Sequence, residues 1–158
     1  MKIVTDKRIL RQVSEPVLIS EQTEFVTDLV SKLKEANNHA WTDGCGLAAI
    51  QLGVAKRVAW LTIDGKELLL VNPKIVSYSD KRDVLSEGCL SIPRVHTMVR
   101  RSQTIDVILN GFTGEVTTVH GFTARVIQQE IDHMNGILNI DKKFKATSQD
   151  KKKKRRKK

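Results

Sequence analysis

Residues 127–136 of this chain read Ile-Gln-Gln-Glu-Ile-Asp-His-Met-Asn-Gly, and the interpretation of the fold starts from them. Apolar residues recur in this stretch at the spacing of a helix that buries one face. On such a helix Gln129 and His133 lie one turn apart on the same face, and Glu130 points toward the same space. Asn135-Gly136 then supplies the left-handed residue at which helices commonly end. We therefore predict a core helix that presents an amide, a carboxyl and an imidazole to one site.

This pattern is one residue away from a metal-binding motif. Zinc hydrolases carry His-Glu-x-x-His on a helix, where two imidazoles bind the metal and the Glu transfers protons. Here Gln129 stands at the position of the first His. A Glu and a His three residues apart also occur by chance on amphipathic helices. Taken alone, these residues therefore favour a structural or solvent-facing role, and the metal interpretation depends on the rest of the chain.

Length and composition indicate one soluble domain. A chain of 158 residues can bury about two-thirds of its unfolded surface without cross-links. Its two cysteines, Cys45 and Cys89, fit a reducing compartment, where a thiolate serves better as a metal ligand than in a disulfide. The sequence shows no signal-peptide or transit-peptide pattern, and no apolar run is long enough to span a bilayer. We expect an intracellular protein without membrane contact, in the cytoplasm of a bacterium or a phage-infected cell, or in an organelle.

The positive charge is concentrated at the C-terminus. The net charge is +9, and residues 151–158 carry eight positive side chains, so the other 150 residues have a net charge of only +1. A block of like charges repels itself, and we predict a domain over residues 1–146 followed by a disordered basic tail over residues 147–158. The tail is either a contact for RNA or another polyanion or an added solubility tag.

The remaining segments show separate helix and strand patterns. Ser20 is a candidate N-cap of a helix that ends near Asn37-Asn38. Asp64-Gly65 separates two β-prone runs and predicts a hairpin, and a second hairpin is expected to turn at residues 110–114. A further strand is expected over residues 74–78. Short antiparallel strands in the middle of the chain and helices near both ends predict an α+β fold.

Two short segments leave their role open when they are taken alone. Residues 44–53 combine glycine and small apolar side chains with one amide, Gln51, which allows close approach to the backbone. They lack the Lys and the third Gly that mark phosphate-binding loops. Cys89 follows Gly88, where its sulfur can project into a cleft, although a buried and unreactive thiol is the more common outcome.

Three segments, taken in order, resemble the three signature motifs of the peptide deformylases. They are Gly44-Cys45-Gly46-Leu47-Ala48-Ala49-Ile50-Gln51, Glu87-Gly88-Cys89-Leu90-Ser91 and Gln129-Glu130-Ile131-Asp132-His133. The lead-in through Pro16 and residues 124–128 are also similar to that family, so the resemblance covers nearly everything except the tail. It implies short antiparallel sheets packed around a central metal-binding helix. It also implies a monomeric, metal-dependent hydrolase that removes the N-formyl group from nascent chains beginning with formyl-methionine.

The resemblance further implies roles for individual residues. The metal ligands would be Cys89, His133 and, at the position of the family's first His, Gln129. The ion would be Fe2+ in cells, with Zn2+, Ni2+ or Co2+ as alternatives, and Glu130 would be the general acid and base. The other implied roles are the oxyanion donors Gln51 and the Leu90 N–H, the backbone of Gly46 that holds the substrate, and Val126 in the methionine pocket.

Gln129 is the departure from the family pattern. A neutral imidazole binds a borderline metal better than an amide oxygen does, so we expect a lower metal affinity. The outcome is a weakened enzyme, a two-ligand site that fills only when metal is abundant, or a protein that binds N-formyl peptides without hydrolysing them. A further alternative is a ribosome- or RNA-associated factor that binds through the basic tail. We favour a deformylase scaffold with altered metal binding.

The other charged or imidazole side chains near these motifs are expected to be structural. Glu87 should pair with a cation such as Arg101. His39, His96 and His120 occupy no motif position, and we expect surface or packing roles for them.

Overall fold

Three helices and eight strands form the part of the chain that the computed structural model describes, residues 2–38 and 45–146. The helices are α1 (Lys7–Leu10), α2 (Glu24–Asn38) and α3 (Gly121–Met134). The strands are β1 (Gly46–Ala48), β2 (Val58–Ile63), β3 (Lys66–Val71), β4 (Lys74–Tyr78), β5 (Arg82–Glu87), β6 (Thr97–Ser102), β7 (Thr104–Ile108) and β8 (Val116–His120). Short 3-10 turns occur at Ile19–Glu21, Ala49–Leu52 and Asn139–Lys142. The predicted α+β class is confirmed.

The strands form three small antiparallel sheets in the order β1-β2-β3, β4-β7-β8 and β5-β6. Both predicted hairpins are present, because β2 pairs with β3 and β7 pairs with β8. The first hairpin turns at Asp64-Gly65 with φ angles of 51° and 72°, as its sequence predicted. The β5–β6 pair was not predicted. Its strands are rich in charged residues, and Asp83 lies opposite Arg101 across the pair.

The start of α2 differs from the prediction. Ser20 is not an N-cap, because it lies in the 3-10 turn Ile19–Glu21 and the helix begins only at Glu24. The carboxylate of Glu21 accepts a hydrogen bond of 2.7 Å from the backbone N–H of Leu18, which closes the turn before the helix can start. The predicted end of the helix near residue 38 is confirmed.

Helix α3 is the centre of the core. It packs against β1, β2, β6, β7 and β8, and most of its residues are buried. Its apolar side chains join those of the β2 and β7 strands in one cluster, which includes Ala124, Ile127, Ile131, Met134, Leu61 and Val107. A second cluster packs α2 against β1 and β2. The sheets thus surround α3 and hold its polar residues at fixed positions.

The N-terminal segment ties α3 to the β1 region. The backbone N–H of Val4 donates to the carbonyl of Gln51 at 2.8 Å, and that of Ser14 donates to the carbonyl of Met134, also at 2.8 Å. Just beyond the end of α3, Gly136 has a φ of 71° and lies directly against the backbone carbonyl of this N-terminal segment. A left-handed residue therefore ends α3, as predicted, and it is tightly enclosed.

Some sequence-based predictions concern residues outside the described ranges. His39, Gly44 of the first motif and the basic segment 147–158 belong to this group. No helix within the described ranges is both long enough and apolar enough to cross a membrane.

Candidate active site

Helix α3 presents three polar side chains toward one cavity. Gln129, Glu130 and His133 all line this cavity of about 330 Å³. Glu130 is 3% exposed and His133 is 1% exposed, which is unusual for ionisable groups. Their burial follows from the central position of α3 between the sheets. The cavity therefore contains ionisable groups that are largely shielded from water.

Cys89 approaches the helix from the turn that follows β5. Its Sγ lies 3.3 Å from the Nε2 of His133. Burial raises the pKa of the Cys89 thiol to about 12 and lowers the pKa of His133 to about 4. Without a cation between them, both groups are therefore neutral at pH 7. The other ring nitrogen of His133, Nδ1, is buried and has no hydrogen-bond partner among the described residues.

Cys89 and His133 meet the distance requirement for two ligands of one ion. Two ligands of a tetrahedral zinc ion lie about 3.5 Å apart when one is sulfur and the other nitrogen, close to the separation observed here. The described part of the chain contains no group of three or more Cys, His, Asp or Glu side chains that could hold a metal. The next donor is the amide of Gln129, one helical turn before His133. The residues therefore fit a divalent ion with two strong donors and one weak donor.

Gln129 also joins the two segments that carry these donors. Its Nε2 donates a hydrogen bond of 2.9 Å to the backbone carbonyl of Gly88, the residue before Cys89. This bond uses the amide nitrogen and leaves Oε1 as the atom that can bind a cation. The side chain at this position is thus a weaker ligand than imidazole, and it also acts as a structural tie between α3 and the Cys89 turn.

Glu130 is held in a site that favours its neutral form. Burial raises the pKa of its carboxyl to about 8, and the positive charge of Arg101 and the backbone N–H of Ala48 oppose this shift only in part. Its Oε2 has no hydrogen-bond partner among the described residues. Gly46 allows the close packing, because a Cβ at that position would lie only 3.2 Å from Oε1 of Glu130. A buried carboxyl with a pKa near neutrality is suited to proton transfer at physiological pH.

The amide of Gln51 is oriented by its own backbone. Its Oε1 accepts a hydrogen bond of 2.9 Å from the N–H of Ala48. Its Nε2 therefore faces the other way, 3.2 Å from Ser91 Oγ and 3.7 Å from Cys89 Sγ. The two N–H groups of this amide are thus fixed next to the thiol, where they can donate to a substrate oxygen.

A buried network of charged side chains lies behind the site. Arg101 donates two hydrogen bonds to Glu87, at 2.6 and 2.8 Å, and a third to Asp132 at 2.7 Å. Arg125 also binds Glu87, and Lys142 binds Asp132 at 2.9 Å. The predicted Glu87–Arg101 pair is confirmed. Because Glu87 lies two residues before Cys89 and Asp132 adjoins His133, the network joins the segments that carry the thiol and the imidazole.

All eight residues to which the resemblance assigned a role line the same cavity. They are Gly46, Gln51, Cys89, Leu90, Val126, Gln129, Glu130 and His133. The structure thus brings these side chains together, and the individual roles stay predictions.

The cavity also has lining residues that were not predicted. Arg94, Val95 and Phe122 lie at its open side. Arg94 and Val95 lie in a loop, where no periodic signal exists, and Phe122 is an exposed residue in the first turn of α3. His96 is exposed, as expected for a surface residue, but it also lines the cavity. His120 is exposed and its ring bonds to Thr104, which agrees with a surface role.

Comparison with known proteins gives a consistent result along nearly the whole chain. The family model for polypeptide deformylase matches residues 1–152. A peptide deformylase of Rhizobium meliloti (strain 1021) is 38% identical over 148 residues, which cover 88% of this chain and 82% of that protein.

Solved structures agree with these sequence matches. A crystal structure of a probable peptide deformylase from synechococcus phage S-SSM7 is 37% identical, with a TM-score of 0.79, and the match covers 90% of this chain and 99% of that one. The Met-Ala-Ser-bound class I type b peptide deformylase of Acinetobacter baumannii is 28% identical, with a TM-score of 0.80, over 89% of this chain and 96% of that one. The resemblance of the three motifs is therefore confirmed, and the chain belongs to the peptide deformylase family of hydrolases.

Proposed function

We propose that this chain removes the N-formyl group from formyl-methionine at the N-terminus of nascent polypeptides, with a divalent metal ion as cofactor. The observation that carries the proposal is the 3.3 Å contact between Cys89 Sγ and His133 Nε2, with Glu130 and Gln51 on the walls of the same cavity. A thiol and an imidazole can hold a metal ion, a carboxyl can transfer protons and an amide can stabilise an oxyanion, so the cavity has groups for each function in metal-assisted amide hydrolysis.

Cys89, His133 and the Oε1 of Gln129 would hold the metal. When bound, a divalent ion supplies Lewis acidity that makes water a stronger nucleophile at neutral pH. We assign Fe2+ in cells, with Zn2+, Ni2+ or Co2+ as alternatives. Gln129 makes the site weaker than one with a second imidazole, because an amide oxygen is a poorer donor to these metals.

Glu130 is the proton carrier in the proposed reaction. It takes a proton from the attacking water and returns it to the amine nitrogen as the formyl carbon–nitrogen bond breaks, which releases formate and a free methionine amine. Its burial and its unpartnered Oε2 suit this role, because no ion pair with another described residue fixes the carboxyl in its charged form. The nearby Gly46 leaves room for the carboxyl and offers its backbone to the substrate peptide.

Gln51 and Leu90 stabilise the negative charge that develops on the formyl oxygen. The orientation of the Gln51 amide is set before the reaction by its bond from the Ala48 N–H, so its Nε2 already faces the Cys89 side of the cavity. The Leu90 N–H is the second donor, since Leu90 follows Cys89 directly on the cavity wall.

The apolar wall of the cavity suits the side chain of methionine. Val126 lines it one helical turn before Glu130, together with Leu90, Ile92 and Phe122. The similar Acinetobacter baumannii structure is bound to Met-Ala-Ser, a peptide that begins with methionine. That complex supports a peptide with an N-terminal methionine as the occupant of the cavity.

The proposal is tested by measuring metal content and formate release on the same purified protein. Wild-type protein loaded with Fe2+ under anaerobic conditions, or with Ni2+, should release formate from formyl-Met-Ala-Ser. Glu130→Gln is the matched control, because it should keep the bound metal and lose formate release by at least about a hundredfold. Wild-type protein that holds metal and binds the formyl peptide, yet releases no more formate than Glu130→Gln, would instead be a silent binding protein.

The basic segment 151–158 supplies a second contact in the proposed setting. Eight consecutive cations give electrostatic affinity for a polyanion such as ribosomal RNA, near which formylated nascent chains emerge in the cytoplasm. We assign the catalytic unit, working as a monomer, to residues 1–146. A variant that ends at residue 146 should keep formate release and lose salt-sensitive co-sedimentation with ribosomes, and unchanged co-sedimentation would disprove the contact.

A further inference from the structure

Arg94 places an unpaired guanidinium at the open side of the cavity. The side chain is exposed and lines the cavity. Within the described part of the chain it has no hydrogen-bond or ion-pair partner. An arginine that stabilised the fold would be expected to bind a carboxylate or a carbonyl, as Arg101 and Arg125 do.

The backbone at Arg94 forms a turn with Pro93, in a conformation that is unusual for an arginine. Three described residues other than glycine have a positive φ, namely Asp64 (51°), Asn72 (50°) and Arg94 (63°). Asp64 forms the β2–β3 turn, and the Asn72 side chain exchanges hydrogen bonds of 2.8 and 2.9 Å with the backbone of Val17. Arginine has no short polar side chain that supports this conformation. Residues held in such conformations cluster where proteins bind ligands.

The charge of Arg94 is not compensated by other residues around the cavity. Glu87 and Arg125 are both buried and bind each other. Glu130 is 3% exposed, at the buried end of the cavity. Among the described residues that line the cavity, Arg94 therefore carries the one permanent charge that is exposed to solvent. A ligand with a carboxylate near the cavity opening would gain an attraction that a neutral or cationic ligand lacks.

The position of Arg94 relates it to the part of the substrate that follows methionine. The groups that would act on the formyl end are buried, whereas Arg94, Val95 and Phe122 lie on the exposed side of the same cavity. A peptide whose first residue fills the buried end must leave the cavity on this side. Building on the proposed function, we infer that Arg94 is a specificity-determining residue that binds a carboxylate of the substrate peptide downstream of its methionine.

Two kinds of carboxylate have the required chemistry. One is the side chain of an aspartate or glutamate in the second or third position, and the other is the terminal carboxylate of a short peptide. C-terminally amidated tripeptides separate the two. The side chain is tested by comparing formyl-Met-Asp-Ala-amide with formyl-Met-Asn-Ala-amide. A second comparison places the same Asp or Asn at the third position. Formyl-Met-Ala-Ala with a free or an amidated end tests the terminus.

The variants separate the charge of Arg94 from its backbone conformation. Arg94→Asn removes the charge and tolerates a positive φ, whereas Arg94→Lys keeps the charge. Lys66→Asn is the matched control, because Lys66 is an exposed cation outside the cavity lining and its replacement changes the net charge equally. Two readouts are used: kcat/KM for formate release, and the Kd of fluorescently labelled peptides for the metal-free protein.

Wild-type protein should prefer at least one carboxylate-bearing peptide over its neutral partner by about two- to fivefold, mainly through KM, and the preference should shrink as salt is added. Arg94→Asn should abolish the preference, Arg94→Lys should retain most of it, and Lys66→Asn should leave it unchanged.

Equal affinity of the wild type for every pair would overturn the inference, as would a preference that survives in Arg94→Asn. The absence of formate release from all peptides, with the charge preference in Kd intact, would reject the proposed function and leave the inference standing.

Discussion

Replacement of Arg101 by methionine tests whether the buried charge network holds the site together. Arg101 is 3% exposed and is bound to both Glu87 and Asp132. The change removes one of the positive charges and leaves the carboxylates buried. Breaking a buried ion pair by removal of one partner costs about 3–5 kcal/mol. In the variant, Glu87 is still paired with Arg125 and Asp132 with Lys142. We therefore expect a loss of stability at the lower end of this range, about 3 kcal/mol.

The loss is measured by urea denaturation of metal-free protein, followed by thermal unfolding. For a domain of this size, about 3 kcal/mol corresponds to a decrease in Tm of about 6–12 °C. Arg8→Met is the matched control, since Arg8 pairs with Asp6 at the surface and its side chain is 91% exposed. We expect no measurable change for that variant. In a Cys45→Ser background, Arg101→Met should also speed the labelling of Cys89 by a thiol reagent, because its turn loses a tie to α3.

A small effect of Arg101→Met would refute this reasoning. If its unfolding midpoint matched that of Arg8→Met, the network would contribute no net stability, as happens when the cost of removing charges from water equals their attraction. If stability fell and the labelling rate of Cys89 stayed constant, the network would stabilise the fold without positioning the thiol.

Three further predictions address the site and its frame. Gln129→His should raise the affinity for Ni2+ or Zn2+ by at least about tenfold, as measured by titration against a competing chelator, and should also raise the rate of formate release. If neither value changed, the amide would not be what limits metal binding and activity. The pKa of Glu130 is raised to about 8 from an ordinary 4.5, so its contribution to stability is complete below pH 4.5 and is lost as the pH rises through 8. The pKa of His133 is lowered to about 4, so this residue affects stability only below its ordinary pKa of 6.5. Metal-free protein should therefore become less stable between pH 6.5 and 8 because of Glu130. If Glu130→Gln lost stability over the same pH range, Glu130 would not be the cause. Gly136→Ala should destabilise the protein by about 2 kcal/mol or more beyond Gly114→Ala, since both have a φ near 70° but a Cβ meets a backbone carbonyl only at Gly136; equal urea midpoints would show that the contact relaxes freely.

Local signals in the sequence predicted the helix α3 and both hairpins. The apolar spacing of residues 127–136 and the turn at Asp64-Gly65 act within a few residues, so one sequence is enough to read them. The predicted start of α2 was wrong. In the preceding turn, the side chain of Glu21 accepts a hydrogen bond from the backbone N–H of Leu18, and the helix begins only after this turn. Propensity rules do not include such a competing bond.

Long-range features were predicted only where the resemblance supplied them. The meeting of Cys89 and His133 depends on the pairing of β5 with β6 and on the packing of α3, and neither can be read from local spacing. The position of Arg125 in the buried network was missed for the same reason, because a charged residue in a helix normally indicates a solvent-exposed face. Arg94 lies in a loop, where no periodicity indicates the direction of a side chain.

The bond between the backbones of Ser14 and Met134 joins positions about 120 residues apart in the chain. Proteins in which many contacts join distant positions fold more slowly than proteins with mostly local contacts. The ribosome synthesises Ser14 long before Met134, so the backbone N–H of Ser14 lacks this partner until Met134 has been added. Because residues of α3 line the cavity, a growing copy of the protein has no complete cavity until α3 has left the translation machinery.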